Sequence, residues 1–360
     1  MSKHYSKETI AKLKERFVCC TKRGRNAIWD VEHGIEVSSA VLLDSASSIE
    51  GERLHHNWKD QWTAIYSELC SGLSFIIKLD YIPNNKSLIP IKGSGNQFIE
   101  NTWRASKIKA TAQKGDVSLF LEFMERMFPF TREREQVIAT MAMNVIKPDV
   151  KIRYALLLRG DQGTGKGTLL DNIWQPLVGN NYSKVSCQDI ANKFNAFMAN
   201  STLVVIDELY SDKKKNADRL KTLITDEKIS VEKKGEDRIQ VTNYSLIVAT
   251  SNDRVPIYIE ANADRRWTVL NFMEHKESQE ETKEFIGKKL IPWLEGDGLQ
   301  LIRNHLEGID LKKFDFDTSM ETESKSEIAY SDAKEDEKVE LDAFLEDECF
   351  YAIRLDALRP

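Results

Sequence analysis

The chain lacks the features of a secreted or membrane protein. None of its five cysteines lies in a CxxC pair, and no stretch approaches the roughly 18 unbroken apolar residues that a membrane span needs. The N-terminus, MSKHYSKETIAKLKERF, is charged and contains no apolar signal core. These absences argue against a disulfide framework, a zinc site and a membrane anchor. We therefore expect a soluble, cytoplasmic protein with reduced, mostly buried thiols.

An excess of basic residues is also missing, since the net charge is -6. Residues 317–348 hold thirteen acids and three lysines, so this segment carries -10 and the remaining residues carry +4. This net charge does not exclude DNA binding, because a protein that binds DNA in a channel needs positive charge only along that channel. The acidic stretch from 315 onward is predicted to be a partly disordered linker, followed by a short helix, VELDAFLEDECFYAI.

The length of 360 residues suits about two domains, and the apolar pattern varies along the chain. The early runs FVCC, IWDV, VLLD and FIIKLDYIP are predicted to be short strands. Apolar residues at helical spacing over 117–146 predict two helices, separated at Pro129 and Thr131. We divide the chain into four regions: an accessory region of mixed α/β character (1–105), a helical collar or linker (106–150), a core region (151–275) and a C-terminal helical region with an acidic linker (276–360).

The core region alternates apolar runs with amphipathic stretches. Its strand candidates are YALLLRG, TLVVIDEL, SLIVATSN and RWTVLNF. Strands that are apolar throughout are expected where helices cover both faces of a sheet. The predicted fold class is therefore α/β with a mainly parallel sheet.

A glycine-rich loop, GDQGTGKGT, follows the first of these strands and precedes a helical stretch, TLLDNIWQPL. This context is typical of a phosphate-binding loop (P-loop), in which backbone N–H groups and a helix N-terminus face phosphate oxygens. Lys166 is expected to reach the β and γ phosphates of ATP. The predicted nucleotide-binding residues are Gly160, Asp161, Gln162, Gly163, Thr164, Gly165, Lys166, Gly167 and Thr168.

The loop departs from the usual pattern at Gly167, where a Ser or Thr normally ligates Mg²⁺. Either Thr168 takes over this role, or Mg²⁺ is held mainly by phosphates, water and an acid. Nucleoside monophosphate kinases also use Gly-Lys-Gly-Thr, so the loop alone does not distinguish a small kinase from a motor.

Polar residues follow the next two core strands. Asp207 and Glu208 end the run LVVIDE, where we expect Asp207 to hold Mg²⁺ and Glu208 to orient the attacking water. Asn252 follows SLIVAT and is predicted to contact the γ-phosphate or its water. Alone, each group is also consistent with an ordinary strand end or turn. The order and spacing favour the functional interpretation.

Arg265 and Arg266 precede the last core strand, in DRRW. A fixed guanidinium near the γ-phosphate stabilises charge that develops during transfer, and in ring ATPases it comes from the neighbouring subunit. The alternative is a solvated arginine pair at a strand start.

Together, GDQGTGKGT, VVIDEL, VATSND and DRRW resemble the motifs of superfamily 3 helicases, most closely the helicase module of phage, plasmid and poxvirus-type primase-helicases. The resemblance covers residues 100–275 well, the C-terminal helices loosely and residues 1–100 only vaguely. It implies an AAA+-like core, a homo-hexameric ring, ATP hydrolysis with Mg²⁺ and translocation on single-stranded DNA. It also implies a channel-lining β-hairpin, here 228–241, with Lys233 and Lys234 near its tip on DNA phosphates.

The first hypothesis is therefore an ATP-dependent DNA helicase of phage, viral or mobile-element replication, associated with a primase or polymerase domain or partner. The second is a P-loop ATPase that loads or remodels a protein without unwinding DNA. A binding module without turnover and a nucleoside kinase are further alternatives. DNA-stimulated ATP hydrolysis distinguishes the first hypothesis from the second.

Overall fold

The computed structural model describes residues 5–22, 25–33, 35–51, 65, 69, 74–94, 97–191, 196–209, 213–232, 238–259, 264–329 and 331. The chain divides into two units, Met1–Ala105 and Ser106–Pro360. Within the described ranges, every helix is too short or too polar to cross a membrane.

The first unit contains a six-stranded mixed sheet with strand order β3-β2-β1-β4-β6-β5. Its strands are β1 Phe17–Lys22, β2 Arg25–Asp30, β3 Ile35–Val37, β4 Ser74–Asp80, β5 Leu88–Pro90 and β6 Gln97–Asn101. The helices of this unit that the structure describes over their full length include α1 Lys7–Arg16 and α2 Ser39–Glu50. FVCC lies in β1, and all of IWDV but Val31 and the first six residues of FIIKLDYIP lie in β2 and β4, which confirms those three strand predictions apart from their C-terminal ends.

The prediction of a strand at VLLD is wrong, because these residues lie in α2. Leu42, Leu43 and Ala46 are buried at helical spacing, and Gly51 ends the helix with a φ of 82°. An apolar run of four residues fits a buried strand or a buried helix equally well. The three- and four-residue spacing of the buried side chains and the glycine after the last turn favour a helix here.

The second unit is built on a five-stranded sheet with order β13-β7-β12-β9-β8 and a separate β-hairpin. The sheet strands are β7 Ala155–Arg159, β8 Tyr182–Ser186, β9 Leu203–Asp207, β12 Leu246–Ser251 and β13 Trp267–Val269. The hairpin strands are β10 Lys228–Val231 and β11 Ile239–Thr242.

Helices precede, connect and follow these strands. They are α3 Ser118–Met127, α4 Thr131–Ile146, α5 at 166–178 with a π-helical part at Thr168–Trp174, α6 Cys187–Ala191 and α7 Lys213–Thr225. The C-terminal helical segment consists of α8 Gln279–Glu284, a π-helical part Phe285–Leu290, α9 Ile291–Trp293, a second π-helical part Leu294–Gly298 and α10 Leu299–Glu307. Another helix covers 323–329. The predicted helix pair over 117–146 and the helical region after 276 are confirmed.

All four strand pairings of the five-stranded sheet are parallel, which confirms the predicted α/β class. Alternate residues of β7 enter different cores: Leu156 and Leu158 pack with Trp174, whereas Ala155 and Leu157 pack with Trp267. Both sheet faces are therefore buried, and this explains why the central strands are apolar throughout.

The segment at 315–329 is not the linker that its acidity predicted. Ser319 N donates to Arg265 O at 3.0 Å, and the Thr322 hydroxyl donates to Val269 O at 2.6 Å, so the segment runs beside β13. Ile328 and Lys325 are buried. Composition misled the prediction because the acids alternate with residues that pack. Residues 332–360, including the predicted last helix, lie outside the described part.

The predicted β-hairpin is confirmed in its two strands. β10 and β11 pair antiparallel, with Ile229 opposite Val241 and Val231 opposite Ile239. The tip at 233–237, with Lys233 and Lys234, lies outside the described residues.

Candidate functional site

A cleft of about 280 Å³ opens at the carboxyl ends of β7, β12 and β9. Ligands of open parallel sheets bind at this edge, near the strand where the connections change direction. β7 is such a strand, because the chain passes from it to β8 at one edge of the sheet and ends with β13 on its other side. The cleft is lined by Gln162, Gly163, Gly165, Lys166, Gly167, Thr168, Leu170, Lys184, Asp207, Glu208, Thr250, Ser251, Asn252 and Ile286.

The glycine loop requires its glycines for conformation and for space. Gly163 and Gly165 have φ angles of 87° and 110°, which other residues rarely adopt. A Cβ at Gly165 would lie 2.8 Å from the Phe123 ring, and one at Gly160 would lie 2.5 Å from Met273 Cβ. The loop is thus pressed between α3 and the segment after β13, and its backbone is held open toward the cleft.

Lys166 bends back over this loop. Its Nζ donates to Gly160 O at 2.6 Å and to Asp161 O at 2.9 Å, and burial lowers the pKa of this lysine. Helix α5 starts at the loop, where Leu169 N donates to Gly165 O at 2.9 Å. An ammonium group, open loop backbone and a helix N-terminus together suit a polyphosphate.

Asp207 ends β9 and faces the cleft. Its Oδ1 accepts a hydrogen bond from the Thr250 hydroxyl at 3.2 Å, and its Oδ2 lies 3.3 Å from Lys184 Nζ. The Thr168 side chain lines the same cleft. Carboxylate and hydroxyl oxygens are the ligands that Mg²⁺ prefers, so this set of donors fits a nucleotide-bound Mg²⁺.

Glu208 has an unusual backbone. Its φ is 53°, and Asn84 is the other non-glycine residue with a positive φ in the described part of the chain. The conformation is held by Glu208 N, which donates to the Thr250 hydroxyl at 3.2 Å. Such conformations cost roughly 1–3 kcal/mol and cluster at functional sites. Here the turn brings an exposed carboxylate to the cleft instead of continuing the strand.

Asn252 lies between the loop and the acids because β12 pairs with β7 on one side and with β9 on the other. The end of β12 is tied to the residue after Glu208. Leu209 N donates to Thr250 O at 2.7 Å, and the Ser251 hydroxyl donates to Leu209 O at 2.9 Å. The exposed Asn252 side chain and the two acids are therefore held at one edge.

Lys184 was not identified from the sequence. It lies in β8, with its Nζ 2.9 Å from Asp171 Oδ2 and 3.3 Å from Asp207 Oδ2. The Tyr182 hydroxyl donates to Asp171 Oδ1 at 2.6 Å, and burial, followed by this hydrogen bond, raises the pKa of Tyr182 far above its ordinary value. The sequence pattern does not predict β8, because YSKVS contains too many polar residues to form an apolar run.

Some predicted residues do not line the cleft. Gly160, Asp161 and Thr164 form the base of the loop, where Thr164 is buried and donates to Asp161 O at 2.9 Å. Arg265 and Arg266 precede β13, whose first residue, Trp267, pairs with Ala155 at the start of β7. They lie at the amino edge of the sheet, roughly 15–20 Å from the loop by strand length. The structure does not bring them to the cleft of their own chain.

The chain is similar to a phage replication protein in sequence and in fold. Residues 158–266 match the model of a family of unknown function, DUF5906. A stretch of 158 residues is 28% identical to the DNA primase-polymerase of Nitratiruptor phage NrS-1. This match covers 43% of the present chain but only about a fifth of the length of that relative.

Solved structures give the same relation at the level of fold. An apo structure of the NrS-1 C-terminal region has a TM-score of 0.63 and 18% identity, covering 91% of this chain and 75% of that one. A second apo form has a TM-score of 0.62 and 19% identity, covering 89% and 74%. The chain therefore has the fold of the C-terminal region of NrS-1.

Proposed function

We propose that this chain is an ATP-dependent DNA helicase of phage, viral or mobile-element replication, built on an AAA+-like P-loop core and working as a homo-hexameric ring. The observation that carries the proposal is the cleft. Lys166, Asp207, Glu208 and Asn252 come from three different strand ends and line one cavity. A purely structural loop has no need of this convergence.

Each group has a chemical task in ATP hydrolysis. Lys166 and the loop amides bind the phosphates, which requires the ammonium to leave the carbonyl groups that now hold it. Glu208 orients and polarises the attacking water. Asn252 contacts the γ-phosphate or that water. Thr168 and Asp207 would hold Mg²⁺, which supplies charge neutralisation when it is bound with the nucleotide.

The position of Arg265 and Arg266 supports a ring. The pair lies at the opposite edge of the sheet from the cleft, and the Arg265 side chain is exposed. A residue at that edge is available to the cleft of a neighbouring subunit. Hydrolysis between subunits then follows from the same arrangement, because each cleft is completed by an arginine of the next chain.

The relation to a phage DNA primase-polymerase supports a role in replication. That relative is longer, and the present chain matches its C-terminal region in fold. We propose single-stranded DNA as the polymer in the ring and a primase or polymerase domain as the partner.

The experiment measures ATP hydrolysis with and without single-stranded DNA, alongside negative-stain imaging with ATP and DNA. Stimulation by DNA together with six-fold rings is expected. Hydrolysis without any effect of DNA would favour the protein-remodelling ATPase, and no nucleotide binding would overturn the proposal.

The proposed contact with DNA is tested with the variant in which Lys233 and Lys234 are both replaced by Ala. Each ring then loses several charges that face one strand, so the salt dependence of DNA affinity should flatten and unwinding should be lost. Replacing Lys312 and Lys313, an exposed lysine pair elsewhere, is the matched control. Anisotropy across a salt series measures the slope, and equal slopes for both variants would contradict the channel assignment.

A further inference from the structure

Lys184 lines the cleft and lies between two carboxylates. Its Nζ lies 2.9 Å from Asp171 Oδ2 and 3.3 Å from Asp207 Oδ2. One of these acids is the candidate Mg²⁺ ligand, and the other belongs to the helix that follows the glycine loop. A single ammonium group is therefore shared by both carboxylates and balances the charge of only one of them.

Strand and helix geometry produce this arrangement. Tyr182 and Lys184 are two residues apart in β8 and thus share one face of the sheet. Asp171 follows Thr168 by three residues, close to one helical turn. A Cβ at Gly167 would lie 3.9 Å from Asp171 Oδ2, so Asp171 stands beside the loop position that lacks the usual Ser or Thr.

The two ion pairs differ in how firmly they are held. The Tyr182 hydroxyl fixes Asp171 through its Oδ1 at 2.6 Å, which leaves Oδ2 for the lysine. Burial lowers the pKa of Lys184, but its pairing with Asp171 and then with Asp207 outweighs burial and raises it. The Lys184 and Asp207 side chains are 36% and 49% exposed, so their pair is the longer and more solvated one. A solvated pair is weak and can exchange partners.

We infer that Lys184 is a positioning residue that pairs with Asp207 when no nucleotide is bound and releases it to Mg²⁺ when nucleotide binds, remaining paired with Asp171. The inference rests on the proposed function, since it needs the metal site at Asp207. The ammonium group and the metal compete for one carboxylate. Asp171 favours release of Asp207 to the metal, because the Lys184 ammonium group keeps Asp171 as an ion-pair partner after it leaves Asp207.

Opposite effects on metal affinity follow. Lys184→Met keeps most of the length of the side chain and removes the competing charge, so the cleft should bind the metal about three- to fivefold more tightly. Asp171→Asn leaves Asp207 as the only anionic partner of Lys184, so metal binding should weaken about two- to threefold. Loss of structure alone would weaken binding in both variants.

The experiment titrates Mn²⁺ into the full chain loaded with a non-hydrolysable ATP analogue, with protein in excess, and follows free Mn²⁺ by electron paramagnetic resonance. Lys184→Arg is the matched control, because it retains the charge, and it should move the Mn²⁺ dissociation constant less than half as far as Lys184→Met. Shifts of opposite sign support the inference. Shifts of the same sign, or none, overturn it.

Folding and the proposed function are tested separately. If circular dichroism shows that Lys184→Met is unfolded, the test rests on Asp171→Asn alone. Unchanged or tighter Mn²⁺ binding by Asp171→Asn then overturns the inference. If the wild-type chain fails to bind the ATP analogue, the proposed nucleotide site fails instead. Normal binding by the wild type with no effect of either variant removes only the role of Lys184.

Discussion

The two edges of the five-stranded sheet carry charge in different ways. At the carboxyl edge, Lys166, Asp207 and Glu208 converge on one cleft. At the amino edge, Lys151 Nζ donates to Ser245 O at 2.6 Å, and Arg153 Nε lies 3.2 Å from Asp317, so these cations hold neighbouring segments together. The charged residues of the carboxyl edge line a cleft that can hold a ligand, although Lys166 and Asp207 also have protein partners there. Lys151 and Arg153 at the amino edge join neighbouring segments of the fold.

Arg265 is the exception at the amino edge, because its side chain is exposed. Under the proposed function, Arg265 acts at the carboxyl edge of a neighbouring subunit. The comparison between edges therefore predicts large effects on turnover from four residues and a stability effect from a fifth.

Lys166→Ala should have the largest effect and abolish ATP hydrolysis, because the phosphates lose their main cationic partner in the cleft. Nucleotide binding should weaken as well. A coupled phosphate-release assay measures turnover, and fluorescence of a labelled nucleotide measures binding. Turnover at the wild-type rate would remove the phosphate-binding assignment of the loop.

Replacing Arg265 and Arg266 together with Ala should lower hydrolysis by about 10³-fold, the size typical of an arginine that stabilises phosphoryl transfer. Mixing this chain with the Lys166→Ala chain should restore part of the activity, since some interfaces then combine an intact loop with intact arginines. Each variant mixed with itself is the control. No recovery, despite mixed assembly proven by differential tagging, argues against action between subunits.

Glu208→Gln should lower hydrolysis by about 100-fold while ATP binding persists, since a positioned base is lost but the phosphate contacts remain. Single-turnover kinetics and equilibrium binding separate the two effects. A nearly unchanged rate would assign the positioning of water to another residue and leave the positive φ of Glu208 without a catalytic explanation.

Lys151→Met should have the smallest effect, on stability alone. Burial, then Arg153, lowers the pKa of Lys151 to about 7, below the ordinary value of 10.5. Between these values the unfolded chain binds a proton that the folded chain does not, so wild-type stability gains at most about 1.4 kcal/mol per pH unit from this group. The variant should lack this gain.

Thermal midpoints of both proteins at pH 7 and pH 9.5 test this prediction. The thermal midpoint of the wild type should rise relative to that of the variant as the pH rises. ATP hydrolysis at pH 7 should be similar in both proteins. Parallel pH dependence would mean that Lys151 is charged in the folded state. A loss of hydrolysis equal to that of Glu208→Gln would erase the distinction between the two edges.

Local sequence patterns predict four of the five strands of the core sheet, all but β8, and most of the residues that line the cleft. Apolar runs such as LVVID can be satisfied only inside a covered sheet, and GDQGTGKGT needs glycine at fixed points of a tight loop. These signals are local, so they can be read from neighbouring residues. The roles of Lys166, Asp207, Glu208 and Asn252 in catalysis remain predictions.

The tertiary structure alone decided which polar residues meet. Lys184 reaches Asp207 because β8 pairs with β9, and it reaches Asp171 because α5 runs below the same edge. The packing of 315–329 beside β13 likewise depends on partners distant in sequence. Such contacts are fixed by strand order and burial, which the free energy of the whole fold selects and no short sequence window contains.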